Sequence, residues 1–129
     1  MVLEGMYQGA NTHQYGTTRH IKMPDGSYET TFNVEGVRVM GKSGTADPGH
    51  RHIDLNMDGI RDPGEMDLAP RDHAWVVALV QPEGASRPTH VVVVVAEYAG
   101  SGGRVSGPIA NQIIHALKRH GYLAWPPVR

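Results

Sequence analysis

Residues 36–46, Gly-Val-Arg-Val-Met-Gly-Lys-Ser-Gly-Thr-Ala, combine a strand-forming run with a cluster of polar side chains. The β-branched Val37 and Val39 alternate with longer side chains, which is the two-residue period of a strand with one buried face. A lysine, a hydroxyl side chain and a glycine follow directly, at positions 42–44. The stretch therefore predicts an extended segment that carries polar chemistry along its second half.

Two sequence patterns fit this segment. The phosphate-binding loop G-x-x-x-x-G-K-[ST] is matched by Gly36, Gly41, Lys42 and Ser43. The K-[TS]-G strand motif of serine acyl-transferases that react with penicillin is matched by residues 42–44. A phosphate-binding loop needs a helix that begins at its lysine, so that the first amides face the anion. Gly44 and Pro48-Gly49 disfavour that helix, so nucleotide binding is the weaker alternative.

Composition limits the possible classes of protein. The chain has 129 residues, a length that suits one domain with a real core. Its net charge is −1 with acids and bases interspersed, which does not suggest a nucleic-acid surface. It has no cysteine, which excludes disulfides and thiolate metal sites. The longest apolar runs, residues 74–80 and 91–96, are too short to span a bilayer, so the composition predicts a soluble chain.

The first third of the chain predicts a short helix and a hairpin. Residues 2–10 have the apolar spacing of a helix, although two glycines weaken it. Residues 17–23 and 27–34 are strand formers on either side of Pro24-Asp25-Gly26. Proline presets a turn and glycine supplies a positive φ, so these segments are expected to pair as a hairpin.

The second half predicts two core strands and a helix. Residues 74–80 and 90–96 are apolar without alternation, which is typical of strands covered on both faces near the centre of a sheet. The clearest helix spans residues 107–120. Its predicted apolar stripe comprises Ile109, Ala110, Ile113, Ile114 and Leu117. The predicted fold class is therefore α+β, an antiparallel sheet with a C-terminal helix packed on it.

Residues 47–71 have the composition of a polar insertion and contain a calcium-loop pattern. Residues 54–65 match the twelve-residue EF-hand loop D-x-[DN]-x-[DN]-G-x₅-E. The expected ligands are the side chains of Asp54, Asn56, Asp58, Asp62 and Glu65 and the backbone carbonyl of Ile60. Pro48-Gly49 and Pro63 disfavour flanking helices, so we predict a structural Ca²⁺ site of loop type. A solvated turn without an ion is the alternative.

Two histidines precede this loop. His50 and His52 are two residues apart and could share one strand face as a zinc pair. A third ligand is not evident in the sequence, so zinc is a weaker alternative than calcium. Trp75 and Tyr98 are expected to be packing residues rather than platforms for a substrate.

The order of several motifs resembles the C-terminal part of class B penicillin-binding proteins. The motifs are Glu4-Gly5-Met6, Gly16-Thr17, residues 41–46, residues 72–75, the valine strand ending at Glu97, and Gly107-Pro108-Ile109-Ala110. The resemblance covers most of the chain except the insertion at residues 47–71 and the tail. It implies that residues 1–129 are a C-terminal fragment of a transpeptidase domain, with a partial penicillin-binding fold and a calcium-loop insertion.

The resemblance also implies a function for the Lys-Ser-Gly strand. The parent would be a serine D,D-transpeptidase of peptidoglycan biosynthesis, membrane-anchored and acting in the cell envelope on the outer side of the cytoplasmic membrane. Lys42 and Ser43 would orient the carboxylate of a D-alanyl-D-alanine stem peptide or a β-lactam, and Gly44 would allow a close approach. Thr45 would add a hydrogen bond and lend its backbone N–H to the oxyanion hole.

The nucleophile motifs of that family are missing from these 129 residues. Each of the five serines lacks a lysine three residues later and an asparagine two residues later, so S-x-x-K and S-x-N are absent. In the family both motifs precede the Lys-Ser-Gly strand and would therefore lie before Met1. We predict that this chain alone neither acylates nor transpeptidates.

Two further expectations concern partners. The second hypothesis for the function is a non-enzymatic, calcium-binding interaction module that keeps the fold without the chemistry. The sheet surface that a helical half of the domain would cover is expected to be apolar, so the fragment could associate with itself. No nucleic-acid partner is expected.

Overall fold

The computed structural model describes residues 1–12, 16–18, 20–22, 24–49, 51–68 and 71–126. The elements are helix α1 (Val2–Asn11), strands β1 (His20–Lys22), β2 (Tyr28–Thr30), β3 (Val37–Ala46), β4 (Arg51–His52), β5 (Asp67–Leu68), β6 (His73–Pro82) and β7 (His90–Ala96), a π-helical turn (Gly102–Ser106), and helix α2 (Gly107–Arg119). The α+β class is confirmed, since a three-stranded antiparallel sheet is combined with two helices, one of them at the C-terminal end.

The main sheet has the strand order β3-β6-β7. The register of β3 and β6 runs from Val37 opposite Pro82 to Ala46 opposite His73, and β6 pairs with β7 from Ala74 opposite Ala96. All neighbouring strands are antiparallel. For β6 and β7 the short connection over residues 81–88 predicts this arrangement. β6 is therefore the central strand, and β3 is an edge strand.

One face of this sheet carries the hydrophobic core. Alternate side chains of the three strands are buried there: Val39, Val76, Ala78, Val80, Val92 and Val94. Ala10 of α1 and Ala110 and Ile114 of α2 pack against them and are fully buried. The predicted stripe of α2 was wrong at Ile109 and Ile113, which are 43% and 39% exposed. Each precedes a buried residue, and one residue turns the helix by about 100°, which places both to the side of the contact.

The opposite face of the sheet is largely open along β6 and β7, whereas Met40 of β3 is buried on it. Val91, Val93 and Val95 of β7 are 60%, 54% and 44% exposed, and Trp75 of β6 is 40% exposed. The predicted coverage of both faces was therefore wrong for these described strands, because the buried residues of both helices pack on the core face. An apolar run without alternation does not tell which of its faces a short chain can cover.

The predicted hairpin is present but shorter. β1 and β2 are antiparallel, with His20 opposite Thr30. In the turn, the carboxylate of Asp25 accepts hydrogen bonds from the N–H and the hydroxyl of Ser27, at 2.9 and 2.6 Å. These bonds hold the pKa of Asp25 below its ordinary value. Phe32 and Val34 lie beyond β2 and are buried in the core rather than paired in the hairpin.

The insertion leaves the sheet at one end of β3 and re-enters at β6. Its two short strands, β4 and β5, pair with His52 opposite Asp67, and the N–H of Ile53 donates to the carbonyl of Met66 at 2.9 Å. The loop is thus closed by a strand ladder, and the prediction that helices do not flank it is confirmed.

No helix among the described residues is long and apolar enough to cross a membrane.

Candidate functional site

The Lys-Ser-Gly segment lies inside strand β3. Lys42 is opposite Val77 and Thr45 is opposite Ala74, and the strand continues to Ala46. In a phosphate-binding loop a helix would begin at the lysine, with its first amides facing the anion. The backbone at residues 42–46 is extended instead, so the helix that a phosphate-binding loop needs is not formed at Lys42.

The polar side chains of the segment alternate between the two faces of the sheet. Lys42 and Gly44 share the open face with Val77 and Trp75, whereas Ser43 and Thr45 lie on the other face. The side chains of Lys42 and Thr45 are exposed, and that of Ser43 is partly buried. Polar side chains therefore stand on both faces of this strand.

The backbone of β3 shows which residues face that edge. The N–H of Glu83 in the connection after β6 donates to the carbonyl of Gly36 at 2.8 Å, which continues the ladder. In an antiparallel ladder every second residue turns both polar groups towards the same neighbour. The backbone N–H and C=O groups of the even-numbered residues of β3 therefore point towards β6. Those of the odd-numbered residues point away from it.

Two contacts agree with this assignment. The carbonyl of Val39 accepts a bond from the side-chain amide of Asn11 in α1, at 2.8 Å. The ammonium of Lys42 donates to the carbonyl of Ser43. Ser43 and Thr45 thus turn their backbone N–H and C=O groups away from β6, which is the orientation that the predicted role of Thr45 requires.

Helix α1 and residues 17–18 flank this edge. A Cβ added to Gly41 would lie 3.3 Å from both Ala10 and Phe32, so only glycine fits comfortably between the strand and α1. Thr18 donates from its hydroxyl to the carbonyl of Gly9 at 2.9 Å. The hydroxyls of Thr17 and Ser43 are 2.8 Å apart. The hydroxyl expected to contact a substrate is therefore held by a second hydroxyl.

Two adjacent glycines, Gly102 and Gly103, let the π-helical turn pack closely against neighbouring backbone. The sequence analysis did not predict this role. A Cβ on Gly102 would lie 2.3 Å from the carbonyl oxygen of Trp75 and 2.4 Å from that of Gly44. A Cβ on Gly103 would lie 2.2 Å from the carbonyl oxygen of Thr17. The π-helical turn can approach the Lys-Ser-Gly strand at Gly102, and Thr17 at Gly103, only because both glycines lack side chains. Two adjacent glycines just before a helix with proline near its start were the available signal.

His73 is the first residue of β6 and lies opposite Ala46, the last residue of β3. The N–H of Tyr98 donates to Nδ1 of His73 at 3.1 Å, and the two rings are 4.6 Å apart. Because Nδ1 accepts, the neutral imidazole carries its proton on Nε2. Tyr98 thus acts as a packing residue, as predicted, whereas Trp75 is more exposed than a packing residue would be.

The predicted calcium ligands lie in one loop but are held by hydrogen bonds within the loop. Gly59 N–H donates to Asp54, and the side-chain amide of Asn56 donates to both Asp58 and Asp62 at 2.9 Å. Among the described residues no three His, Cys, Asp or Glu side chains are gathered as a metal site. His50 of the predicted zinc pair lies outside the described residues.

A groove of about 590 Å³ lies at the other end of β3, away from the Lys-Ser-Gly segment. Its lining includes Tyr7, Asn11, Glu35, Arg38, Gln81 and Glu83. Arg38 is already engaged, since it lies 4.1 Å above the ring of Tyr7 and 3.1 Å from the carboxylate of Glu4. The groove includes none of the residues predicted to bind a carboxylate or calcium.

Comparisons with protein-family models, curated proteins and solved structures found no match to this chain.

Proposed function

We propose that this chain is the substrate-carboxylate half of a penicillin-binding D,D-transpeptidase site. The observation that carries the proposal is the position of residues 42–45 on the edge strand, with the backbone groups of Ser43 and Thr45 turned away from the sheet. The order of motifs along the chain resembles class B penicillin-binding proteins and agrees with this placement. The parent protein would act in the cell envelope, outside the cytoplasmic membrane.

Lys42 and Ser43 would hold a carboxylate together, although their side chains start on opposite faces. The ammonium of Lys42 already reaches the free edge, because it donates to the outward carbonyl of Ser43. A carboxylate at the edge could replace that carbonyl and gain a charge-assisted bond, which is stronger than a bond to a neutral acceptor. The hydroxyls of Ser43 and Thr45 would donate to the same ligand from the other face.

The backbone of the edge would align an extended peptide. Alternate N–H and C=O groups of an edge strand pair with a peptide as an added strand, and the side chains beside them select its sequence. Gly44 adds no side chain that would obstruct such a peptide. The N–H of Thr45 would then bind the oxygen of the reacting carbonyl as charge develops on it.

In this proposal the chain binds the substrate but does not react with it. The sequence has no S-x-x-K or S-x-N motif, so the attacking serine would come from a segment other than these 129 residues. The chain would therefore recognise the stem peptide or a β-lactam without forming an acyl-enzyme. Fluorescent penicillin is expected to leave the purified chain unlabelled, and a covalent adduct would contradict this part of the proposal.

The test is a titration of the purified chain with Nα-acetyl-L-Lys-D-Ala-D-Ala, followed by the amide NMR signals of residues 42–46. The free acid is expected to shift these signals, and the same peptide with an amidated C-terminus to bind at least about tenfold more weakly, because a hydrogen-bonded charge is lost. Lys42→Ala should weaken binding of the acid by a similar factor and leave the amide almost unaffected.

The matched control is Arg87→Ala, which removes one positive charge from the exposed connection between β6 and β7. It should leave the affinity unchanged. Equal binding of acid and amide, or equal losses in Lys42→Ala and Arg87→Ala, would mean that Lys42 is an ordinary surface lysine and would refute the carboxylate site.

A further inference from the structure

The loop at residues 54–65 holds a deeply buried carboxylate in a segment without a hydrophobic core. The side chain of Glu65 is 3% exposed. Its two oxygens accept the N–H groups of Leu55 and Asp62, each at 3.0 Å. The apolar side chains of the loop all point to solvent: Leu55, Met57 and Ile60 are exposed. Polar groups rather than apolar packing therefore form the interior of this loop.

A second carboxylate in the same loop has an oxygen with no partner. Oδ2 of Asp54 accepts the N–H of Gly59 at 2.7 Å, but its other oxygen, Oδ1, is buried and makes no hydrogen bond. A buried, unpaired carboxylate oxygen is costly, because it has lost its hydration without gaining a donor. A bound cation would satisfy this atom, because a carboxylate oxygen is a ligand that cations prefer.

The amide of Asn56 occupies the space between two more carboxylates. Its Nδ2 donates to Asp58 and to Asp62, each at 2.9 Å, and its Oδ1 accepts the N–H of Asp58. The partial positive charge of the NH₂ group thus separates two like charges, where a metal ion would do so more strongly. Rotation of this side chain would turn its oxygen towards the ion and release both carboxylates.

The turn geometry of the loop fits the same ligand. Gly59 has φ 77°, the left-handed conformation that lets the chain bend sharply at position six. Oxygen donors stand at positions 1, 3, 5, 9 and 12, and hard oxygen donors in a set of six to eight are what Ca²⁺ prefers. The ladder of β4 and β5 fixes the two ends of the loop beside each other.

We propose that the 54–65 loop binds one calcium ion through the side chains of Asp54, Asn56, Asp58, Asp62 and Glu65 and the carbonyl of Ile60. Because the loop connects the end of β3 to the start of β6, the ion would fix the chain that leaves the Lys-Ser-Gly strand. The proposal is independent of the carboxylate site and would hold for a chain without it.

The test is isothermal calorimetry of the full chain, freed of metal with a chelator, against CaCl₂. One site is expected, with a Kd on the order of 10⁻⁵ to 10⁻³ M, which runs from the weakest sensor loops to extracellular modules. The amide NMR signals of Leu55, Gly59 and Ile60 should move as the site fills. The melting temperature should rise with calcium and fall back when chelator is added.

Two substitutions separate a built site from a general attraction of cations to acidic residues. Asp54→Asn removes the charge of the carboxylate whose oxygen lacks a partner. It should weaken the affinity for calcium at least about tenfold. Asp67→Asn removes an equal charge just outside the twelve residues and should change the affinity less than about twofold. This control residue is exposed and paired with Arg61 at 2.6 Å.

Three results would overturn the proposal. The first is the absence of heat and of NMR shifts at 10 mM CaCl₂, a value chosen as roughly tenfold above the weakest expected Kd. The second is an equal loss of affinity in Asp54→Asn and Asp67→Asn, which would indicate non-specific binding. The third is tighter binding of ZnCl₂ than of CaCl₂ that is lost in His52→Ala, since His52 Nε2 makes no hydrogen bond but lies 3.4 Å from Oε2 of the proposed ligand Glu65.

Discussion

The main sheet and the insertion between β3 and β6 are held together by different forces. The sheet buries valines against Ala10, Ala110 and Ile114, and glycines bring backbone segments into direct contact. The insertion exposes its apolar side chains and instead satisfies carboxylates with its own N–H groups. Changes of side-chain volume should therefore affect the sheet, and changes of charge should affect the insertion.

The difference follows from composition. Continuous apolar runs supply enough area to stabilise a sheet, since each square ångström removed from water contributes roughly 25 cal/mol. The insertion has few apolar residues per turn, and its glycines and prolines favour tight bends. A segment of this kind stays ordered only through local polar contacts or a bound ion.

The largest effect is expected in the core. Ile114→Ala removes a fully buried side chain between α2 and the sheet, and should lower the free energy of unfolding by about 2–5 kcal/mol. Ile113→Ala, on the neighbouring and partly exposed position, should cost about 1 kcal/mol or less. Denaturation in urea measures both. Equal losses would mean that α2 packs on a different face.

A smaller effect is expected at the glycine contact beneath the Lys-Ser-Gly strand. Gly102→Ala would place a methyl group within 2.4 Å of the backbone oxygens of Trp75 and Gly44, so the π-helical turn would have to move away. The expected loss is about 1–3 kcal/mol in thermal or urea unfolding.

The control for this prediction is Gly5→Ala in α1, where nothing lies within 4 Å of the added Cβ. Alanine has the higher helix propensity, so this variant should gain about 0.5–1 kcal/mol. A neutral Gly102→Ala would show that the turn does not press against the strand.

The smallest effect is expected in the insertion. Leu55→Ser replaces an exposed apolar side chain and should change the free energy of unfolding by about 0.5 kcal/mol or less. A loss comparable to that of Ile114→Ala would show that the insertion packs on an apolar surface and would remove the contrast between the two regions.

Much of the local structure could be predicted because local signals and packing agree. Alternation placed Val37 and Val39 on one face of β3, and proline with glycine placed the turn between β1 and β2. The helix at the C-terminal end begins at Gly107, as predicted, and ends within one residue of the predicted boundary. Each of these signals lies within a few residues of the feature that it predicts.

Other features depended on residues distant in sequence. The contact of Gly102 with Gly44 joins positions 58 apart, and no local pattern shows that the two backbones meet. The exposure of Val91 and Ile109 depends on where both helices pack, and the apolar character of a residue does not indicate whether a partner covers it.

The sequence by itself determined that Lys42, Ser43 and Thr45 lie along a strand and that residues 54–65 carry oxygen donors at calcium-loop spacing. Only the tertiary structure decided that this strand is an edge, because strand order depends on which segments pair across long distances. It also left one oxygen of Asp54 buried without a partner, since burial results from the folding of the whole loop around that atom. Residue types set the available chemistry, and the packing of distant segments decides which of those groups can meet a ligand.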